Sequence, residues 1–315
     1  MMRVHRSLFD AHVERWVAGL PPGDLHAPMA YLLGLPAKRI RPVLTLMSCE
    51  LFGGDPRTAL DQALAIELFH NFTLMHDDIM DEAPLRRGRP TVHARWNVNT
   101  AILSGDAMLV MAYSILGADP SVLETFNRHA LEVCAGQQLD MEFERRQDVS
   151  LTEYKGMIRL KTAVLLAAAL RIGAIRAGAG AEDQERIAAF GEGVGLAFQL
   201  RDDLLDAFGD PAHTGKEQGG DLRNGKKTWL LIRGLEVERR RGTDVLRTQL
   251  ALDPHARRIP TMVAALRDLG VEQEAQAEVQ RLADAALDQL HRIDPSGVRV
   301  GALRNLAVSL IDRTA

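Results

Sequence analysis

The chain has 315 residues, 46% of them hydrophobic, which is enough to bury a substantial core in one large domain or two smaller ones. Its formal net charge of −4 argues against a general nucleic-acid-binding protein. Cys49 and Cys134 match no zinc or disulfide spacing, and neither a secretory leader nor an uninterrupted apolar run of membrane-spanning length is visible. We therefore expect a cytoplasmic protein in a reducing compartment, without an integral membrane segment.

Long segments free of glycine and proline dominate the chain, and their apolar residues recur at spacings of three and four, which is typical of helices. The segment 57–83 could form a rod of roughly 40 Å before Pro84 ends it. No serine- or glycine-rich linker marks a boundary, so we predict a single all-α domain over residues 1–315. The predicted helices are 3–18, 41–52, 57–83, 99–117, 121–146, 151–176, 182–208, 226–241, 259–291 and 296–313.

The acidic pattern Asp-Asp-x-x-Asp ends two of these helices. Carboxylates at positions i and i+4 of a helix share a face, with position i+1 beside them. Acidic side chains near a helix C-terminus are repelled by its exposed carbonyl groups, so three of them cost stability unless a cation joins them. The two motifs therefore predict binding of several divalent ions. They consist of Asp77, Asp78 and Asp81, and of Asp202, Asp203 and Asp206.

Basic residues accompany both acidic motifs. The segment 38–41 contains Lys-Arg-Ile-Arg, 86–89 contains Arg-Arg-Gly-Arg directly after the first motif, and Lys216, Lys226 and Lys227 follow the second. Most such clusters in soluble proteins are solvated surface. Beside the acidic motifs they favour a diphosphate ligand, because Mg²⁺ takes one or two carboxylates plus phosphate oxygens while Lys and Arg neutralise the remaining oxygens.

The segment 209–225 is the longest irregular stretch predicted, with five glycines and one proline, and we expect it to be functional or mobile and to act as a lid over the site. Its residues 220–227 follow the nucleotide-binding P-loop pattern except at the last position, where Lys227 replaces Ser or Thr. No apolar strand precedes the segment, so nucleotide hydrolysis is not favoured.

Further signatures occur in a fixed order along the chain. They are Lys38-Arg39-Ile40-Arg41-Pro42, Glu67-Leu68-Phe69-His70, Leu74-Met75-His76 before the first acidic motif, Arg86-Arg87-Gly88-Arg89-Pro90-Thr91, Lys161-Thr162, Phe198-Gln199-Leu200-Arg201 before the second, Gly215-Lys216 and Gly225-Lys226. Over residues 38–228 the chain resembles the trans-prenyl diphosphate synthases of the polyprenyl synthetase family. The family often has Gly-Gly where Pro36-Ala37 stands here, which changes the loop backbone but keeps the cationic side chains.

The resemblance implies a helical bundle around a deep central cavity, as in isoprenoid synthases. It also implies head-to-tail condensation of isopentenyl diphosphate with an allylic diphosphate (dimethylallyl, geranyl or farnesyl). About three Mg²⁺ ions per site would hold the allylic diphosphate. The implied metal ligands are Asp77, Asp81 and Asp202, supported by Asp78, Asp203 and Asp206.

Substrate-binding roles follow from the same resemblance. The isopentenyl diphosphate would be bound by Lys38, Arg41, His70 and Arg87. The allylic diphosphate would be bound by Arg86, Lys161, Thr162, Gln199, Lys216 and Lys226, with Lys161 and the six aspartates forming the catalytic set. Helix geometry supports His70 independently, because it precedes Asp77 by seven residues and therefore lies within about 20° of the same face.

Product length depends on the helix before the first motif, where Thr73, Phe72 and Phe69 lie about 6, 7.5 and 12 Å from Asp77 along the axis. By resemblance, an aromatic residue at the position of Phe72 shortens the product, which favours farnesyl or geranylgeranyl diphosphate. Ideal geometry places Phe72 about 140° from Asp77 and the other two closer to the metal face. An ordinary core role for Phe72 stays open.

Several alternatives remain. A class I terpene cyclase is also all-α, but its second motif is typically of an Asn/Ser/Glu type. A head-to-head synthase would use differently spaced acids, and a non-catalytic partner subunit would usually lose an acidic motif. The resemblance further implies a homodimer, with 99–117 as a plausible interface helix.

Overall fold

The computed structural model describes residues 2–210 and 218–312. Helices dominate this part of the chain, and its strands are limited to a hairpin of β1 (Leu85–Arg86) and β2 (Arg89–Pro90), so the all-α prediction is confirmed. The helices are α1 (Met2–Ala18), α2 (Ala27–Gly34), α3 (Ile40–Leu51), α4 (Leu60–Met80), α5 (Val92–Arg95), α6 (Val98–Leu116), α7 (Pro120–Arg145), α8 (Leu151–Ile158), α9 (Val164–Arg176), α10 (Ala181–Phe208), α11 (Gly220–Asn224), α12 (Trp229–Arg241), α13 (Val245–Leu250), α14 (Ile259–Asp268), α15 (Val271–Ile293) and α16 (Gly301–Ile311).

Two compact units divide the chain. Unit 1 comprises Met1–Ala130 and Ala168–Ile187, and unit 2 comprises Leu131–Ala167 and Ala188–Ala315. The first acidic motif belongs to unit 1 and the second to unit 2. That the whole chain forms one domain stays a prediction.

Helix α4 is the central element of unit 1. Between Leu60 and Phe69 every residue except Asp61 is buried, and α3 and α6 both pack against this helix. The face of α6 that is buried carries mostly small residues at spacings of three and four, which allows a close approach between helices. A Cβ atom on Gly105 would lie only 2.3 Å from Nε2 of His76. This packing fixes the last turn of α4, where the first acidic motif begins.

Unit 2 has its own hydrophobic core, built from α8, α10, α12, α14 and α15. Ala197, Leu200 and Leu204 recur at spacings of three and four on α10 and are at most 4% exposed. They attach the C-terminal half of α10 to that core, which positions the second acidic motif in the last turns of the helix.

Five predicted helices, 3–18, 41–52, 99–117, 121–146 and 182–208, are confirmed with both ends within two residues. The predicted helix 226–241 begins only at Trp229 and 296–313 only at Gly301, and two long segments end or break early where the sequence pattern suggested continuity. The segment 57–83 begins as a 3-10 turn, Pro56–Ala59, and α4 ends at Met80, because Glu82 adopts a left-handed φ of 49°. The segment 259–291 is two helices, since Gly270 has a φ of 79° between α14 and α15. Both breaks place a left-handed residue just after a helix end, as expected for C-capping.

The predicted helix 151–176 is interrupted by a π-helical turn, Arg159–Ala163, which contains Lys161 and Thr162. The prediction that 209–225 is irregular is wrong for 220–224, which form α11. Lys216 and the rest of 211–217 lie outside the described residues.

Candidate active site

The first acidic motif has one buried and two accessible carboxylates. Asp77 and Asp78 lie in the last turn of α4, and Asp81 follows as the C-cap residue, its backbone N–H donating to the carbonyl of Asp77 at 2.9 Å. Asp78 is only 2% exposed, whereas Asp77 is half-buried and Asp81 is exposed. The two accessible carboxylates are therefore the better candidates to meet a cation.

A hairpin directly after the motif carries Arg86 and Arg87. Arg86 donates from Nε to both carboxylate oxygens of Asp78 at 2.8 Å, and its Nη2 lies 2.7 Å from one of them. Arg87 and Gly88 form the turn with φ of 53° and 72°, as a two-residue type I′ turn requires. Asp78 thus holds the side chain of Arg86 in place, and the conformation of the turn sets the position of the Arg87 backbone.

A buried ion pair supports the loop that precedes α3. Arg39, with a left-handed φ of 52°, donates from Nη1 to Oε1 of Glu67 at 2.6 Å, and the residues are 8% and 2% exposed. Asn71 donates to the same oxygen at 3.1 Å. Since charges buried this deeply are stable only when paired and hydrogen-bonded, Glu67 holds the loop backbone between Lys38 and Arg41 in place.

His70 and Arg41 are joined by a hydrogen bond of 3.0 Å between Nε2 and Nη1. Because arginine can only donate, Nε2 of His70 must accept, which requires a neutral imidazole. Burial, and then the positive charges of Arg41, Arg87, Arg86 and Arg39, hold the pKa of His70 well below its usual range. Burial also lowers the pKa of Arg41 to about 10, so this guanidinium stays charged at neutral pH.

These groups form one cationic region in unit 1. Burial lowers the pKa of Arg87, with Arg39 and Arg86 adding repulsion, while Glu67 opposes the shift. A region in which positive groups disfavour one another's charge gains stability when an anion binds. Lys38 is exposed in the loop before α3. The structure thus brings Arg41, His70 and Arg87 into one electrostatic neighbourhood.

The second acidic motif also divides into differently placed carboxylates. Asp203 is 4% exposed and accepts from the hydroxyl of Tyr154 at 2.5 Å and from Nε2 of Gln199 at 3.3 Å. Burial, reinforced by the charge of Asp221, raises the pKa of Asp203 to about 7. Asp206 accepts from the backbone N–H of Asp221 at 3.1 Å and so caps the start of α11. Asp202 is half-buried.

Lysine residues of unit 2 meet at a carboxylate that the sequence patterns did not single out. Nζ of Lys161 lies 2.6 Å from Oδ2 of Asp140 on α7, and Nζ of Lys226 lies 3.8 Å from the same oxygen. Thr162 donates from Oγ1 to Oε1 of Gln199 at 3.2 Å. Lys161 and Lys226 are therefore joined through Asp140, and Thr162 and Gln199 form a separate hydrogen-bonded pair, so four of the six residues predicted to bind the allylic diphosphate have such contacts within unit 2.

The candidates for the product-length floor lie in an aromatic cluster of unit 1. Phe69 is 1% exposed and its ring centroid lies 5.6 Å from that of Phe72 and 5.3 Å from that of Phe126. Phe72 is half-buried, with its ring 4.8 Å from that of His76. Thr73 donates to the carbonyl of His70 at 2.8 Å. That these residues limit product length stays a prediction.

Sequence reasoning gave no role to four residues that organise these groups, Glu67, Asn71, Asp140 and Tyr154, although Glu67 opens one of the signatures. Glu67 and Asp140 could have been noticed as carboxylates at positions where a helix pattern demands burial, but their partners are far away in sequence. Within residues 2–210 and 218–312, no three His, Cys, Asp or Glu side chains are grouped as a ready-made metal site. A cation with few protein ligands would need oxygens from a substrate, which is the usual arrangement for Mg²⁺.

Comparison with known proteins finds prenyl diphosphate synthases that are similar over most of the chain. A (2E,6E)-farnesyl diphosphate synthase of Mycobacterium tuberculosis is 38% identical over 290 residues, 88% of this chain and 80% of that protein. A crystal structure of a geranylgeranyl pyrophosphate synthase matches with a TM-score of 0.94 and 41% identity, covering 100% of this chain and 99% of that one. A geranylgeranyl pyrophosphate synthase from Corynebacterium glutamicum, complexed with isoprenyl diphosphate and magnesium, matches with a TM-score of 0.84 and 30% identity, covering 99% and 97%. Residues 23–266 match the model of the Polyprenyl synthetase family, to which this chain therefore belongs.

Proposed function

We propose that this chain is a cytoplasmic, Mg²⁺-dependent trans-prenyltransferase that condenses isopentenyl diphosphate head-to-tail with an allylic diphosphate. The product is a short all-trans prenyl diphosphate. The observation that carries the proposal is the presence of both intact Asp-Asp-x-x-Asp motifs at helix ends in a chain of the polyprenyl synthetase family. The names of the farnesyl and geranylgeranyl synthases that resemble it support the substrate class.

In unit 1, Lys38, Arg41, His70 and Arg87 bind the isopentenyl diphosphate. Arg41 and Arg87 donate to its oxygens as fixed, charged hydrogen-bond donors. The neutral imidazole of His70 adds a donor from its other ring nitrogen while accepting from Arg41. The mutual repulsion of these cations in the free protein supports the assignment, since a diphosphate relieves it.

In unit 2, Lys161, Thr162, Gln199 and Lys226 bind the allylic diphosphate, and the family resemblance adds Arg86 and Lys216. The lysine ammonium groups neutralise oxygens that gain charge as the allylic carbon–oxygen bond breaks. Thr162 is hydrogen-bonded to Gln199, and Gln199 to Asp203, which supports this assignment. These hydrogen bonds hold the polar side chains in fixed orientations, whereas mobile surface side chains would have none.

Magnesium fits the accessible carboxylates. Asp77, Asp81 and Asp202 offer hard oxygen ligands and no sulfur or nitrogen, which suits Mg²⁺, with Asp78, Asp203 and Asp206 in supporting positions. When bound, about three Mg²⁺ ions would neutralise the leaving diphosphate. The crystal structure of the Corynebacterium glutamicum relative with magnesium supports the choice of metal.

The residues proposed here bind and orient two diphosphates so that the chemistry can occur between their hydrocarbon parts. Cleavage of the allylic carbon–oxygen bond releases diphosphate and leaves an allylic cation, which the isopentenyl double bond attacks to form the new carbon–carbon bond. A proton is then lost to the released diphosphate. The protein's own contribution is therefore electrostatic and positional, and it requires no strong protein base.

The product is proposed to be farnesyl or geranylgeranyl diphosphate. Relatives with these products support the range, and the aromatic cluster of Phe69 and Phe72 lies on the helix that carries the first motif. We further propose that the chain acts as a homodimer.

The test is incubation of the purified chain with labelled isopentenyl diphosphate, Mg²⁺ and, separately, dimethylallyl, geranyl and farnesyl diphosphates, followed by chromatography. Elongated products that depend on both substrates are expected. Cyclic products formed without isopentenyl diphosphate would instead identify a terpene cyclase. Absence of turnover by the pure chain, with activity restored by another subunit, would identify a partner subunit.

A further inference from the structure

The π-helical turn Arg159–Ala163 changes the direction in which two proposed substrate-binding side chains leave the helix. The backbone N–H of Val164 donates to the carbonyl of Arg159, five residues before it, in place of the α-helical spacing of four. One extra residue in the turn rotates everything that follows relative to what precedes it. Lys161 and Thr162 lie in the middle of this turn. Such turns are rare and need support from the surrounding structure.

Two glycines on neighbouring helices contact the backbone of the π-helical turn. A Cβ atom on Gly136 of α7 would lie 2.2 Å from the backbone nitrogen of Lys161 and 2.6 Å from the carbonyl carbon of Leu160. A Cβ atom on Gly195 of α10 would lie 2.5 Å from Cα of Ala163. Since these are backbone atoms, neither contact could be relieved by rotating a side chain. Any larger residue at Gly136 must displace the turn itself.

Helix α7 contacts Lys161 a second time, one turn further along. Gly136 and Asp140 are four residues apart and therefore share a face of the helix. Gly136 meets the Lys161 backbone, and Oδ2 of Asp140 lies 2.6 Å from its Nζ. The same oxygen lies 3.8 Å from Nζ of Lys226, and Asp140 is only 8% exposed. One face of α7 thus fixes both ends of Lys161 and one end of Lys226.

We propose that Gly136 and Asp140 are positioning residues that set the two lysine ammonium groups for the allylic diphosphate. The inference rests on the proposed function. Gly136 sets the position of the Lys161 backbone by leaving room for the π-helical turn. Asp140 keeps the ammonium groups of Lys161 and Lys226 near the same carboxylate oxygen, although the two positive charges repel each other. Neither residue contacts the substrate in this role.

The opposite expectation is that Asp140, being negative, repels the diphosphate and competes for the lysines. Two considerations decide against it. A lysine side chain has four flexible bonds, so an unanchored ammonium loses much conformational freedom on binding, whereas an anchored one has already lost it. Hydrogen bonds to charged groups contribute about 1.5–3 kcal/mol, which corresponds to about tenfold or more in affinity. The long-range repulsion by one carboxylate is screened by the two ammonium groups bound to it.

The test is steady-state kinetics of Asp140→Asn, which keeps the side-chain size and removes the charge. We expect the KM for the allylic diphosphate to rise about tenfold or more, while the KM for isopentenyl diphosphate changes less than about twofold. Asp140→Glu should restore part of the loss because it returns the carboxylate. The matched control is Glu278→Gln, since Glu278 also accepts from a lysine, Lys155, at 2.6 Å in unit 2. An unchanged or lower allylic KM in Asp140→Asn would overturn the proposal.

A second pair of variants tests the glycine. Gly136→Ala should raise the allylic KM selectively, and its crystal structure should show the 159–163 turn displaced. Gly193→Ala is the control, because its Cβ would lie 2.8 Å from Cβ of Ala286, a close contact in unit 2 away from Lys161. An undisplaced turn, or equal effects of both variants on the two KM values, would contradict the positioning role. All of these measurements require an active wild-type enzyme. If the proposed function were wrong, the wild type itself would show no turnover, which distinguishes that failure from failure of the positioning role.

Discussion

Within each acidic motif the three carboxylates have different surroundings, and this difference has a chemical consequence. Asp78 is occupied by Arg86, and Asp203 by Tyr154 and Gln199. A buried carboxylate with such partners cannot exchange them for a cation without leaving those partners unsatisfied. Asp77 and Asp202 are more accessible, so the residue-level structure favours them as the direct metal ligands.

Replacing Asp77 or Asp202 by Ala should lower turnover at least about a hundredfold, because electrostatic stabilisation of the leaving diphosphate is lost. Helical content, measured by circular dichroism, should stay unchanged, since both side chains are only half-buried. Asp284→Ala, which removes an exposed carboxylate from α15, is the control. A fully active Asp77→Ala enzyme would contradict the metal assignment.

His70 should make the free enzyme less stable as the pH falls. Its pKa in the folded state is well below 6.5, so below about pH 6.5 the unfolded chain binds a proton that the folded chain does not. The free energy of unfolding therefore rises with pH in this window, by at most about 1.4 kcal/mol per pH unit, and the contribution is lost as the pH falls.

The variant His70→Gln keeps an acceptor for Arg41 but cannot titrate. Its free energy of unfolding should therefore depend less on pH than that of the wild type below about pH 6.5, over the range in which the protein is still folded. Denaturant titrations at several pH values would measure this, with His255→Gln at an exposed position as the control. Identical slopes for wild type and His70→Gln would show that His70 is not held neutral.

Phe72→Ala should lengthen the product by one or more isoprene units if this ring limits the growing chain. The ring is half-buried and packs between Phe69 and His76, so its removal opens space beside α4. Chromatography of the products measures the shift. Phe52→Ala, at another half-buried phenylalanine, controls for general destabilisation. An unchanged distribution of products in Phe72→Ala would leave Phe72 as an ordinary core residue.

At the scale of elements, glycines decide how closely the helices approach. In unit 1, Ser48 of α3 donates to the carbonyl of Leu170 on α9 at 2.6 Å, and a Cβ on Gly173 would lie 2.2 Å from the carbonyl oxygen of Thr45. Gly173→Ala should therefore lower the free energy of unfolding by about 2 kcal/mol or more, because backbone must move. Denaturant unfolding measures this change.

The matched substitution is Gly156→Ala in α8, where no atom lies within 4 Å of the added Cβ. Alanine has a higher helix propensity than glycine, so the free energy of unfolding of this variant should rise by about 0.5–1 kcal/mol. If both variants raised the unfolding midpoint, helix propensity and not interhelical contact would control these positions.

Helices were predictable from the sequence where local signals agree with the tertiary structure. The two ends of α6 are an example, since Asn97 at its start accepts from the backbone N–H of Thr100 and Gly117 follows its last residue with a φ of 89°. The π-helical turn was not predictable, because it depends on contact with Gly136 and Gly195, which lie 25 and more residues away in sequence. Periodicity reports one helix face and carries no information about such contacts.

The candidate site was predictable to the extent that it consists of short motifs. Asp77, His70 and Arg87 could be named from spacing and resemblance. Glu67 and Asp140 could be noticed as carboxylates at buried helix positions but could not be given a role, because that role depends on a partner brought close only by folding, Arg39 in one case and Lys161 in the other. The sequence thus indicates the groups that would touch a substrate more readily than the groups that position them.

For the whole molecule, the outer face of α6 is the feature that its own unit does not explain. Leu103 and Val110 are 60% and 64% exposed and lie seven residues apart, hence on the same face. The helix is also the one described element with the length and apolar character of a membrane span, but exposed Asp106 interrupts this face. A charged residue is costly in a bilayer, so Asp106 argues against membrane insertion of this face. Exposed apolar patches mark protein interfaces, so the face favours the proposed homodimer over membrane insertion.

The dimer prediction can be tested by sedimentation in buffer without detergent. The wild-type chain should have twice the mass of the 34.7 kDa protomer. Leu103→Glu combined with Val110→Glu should produce monomers, because two charges would have to be buried without partners. Val298→Glu, at a position 82% exposed in unit 2, controls for the added charge. A monomeric wild type would contradict the prediction. A dimer that survives the double substitution would mean that the subunits associate through another surface and that the α6 face has a different partner.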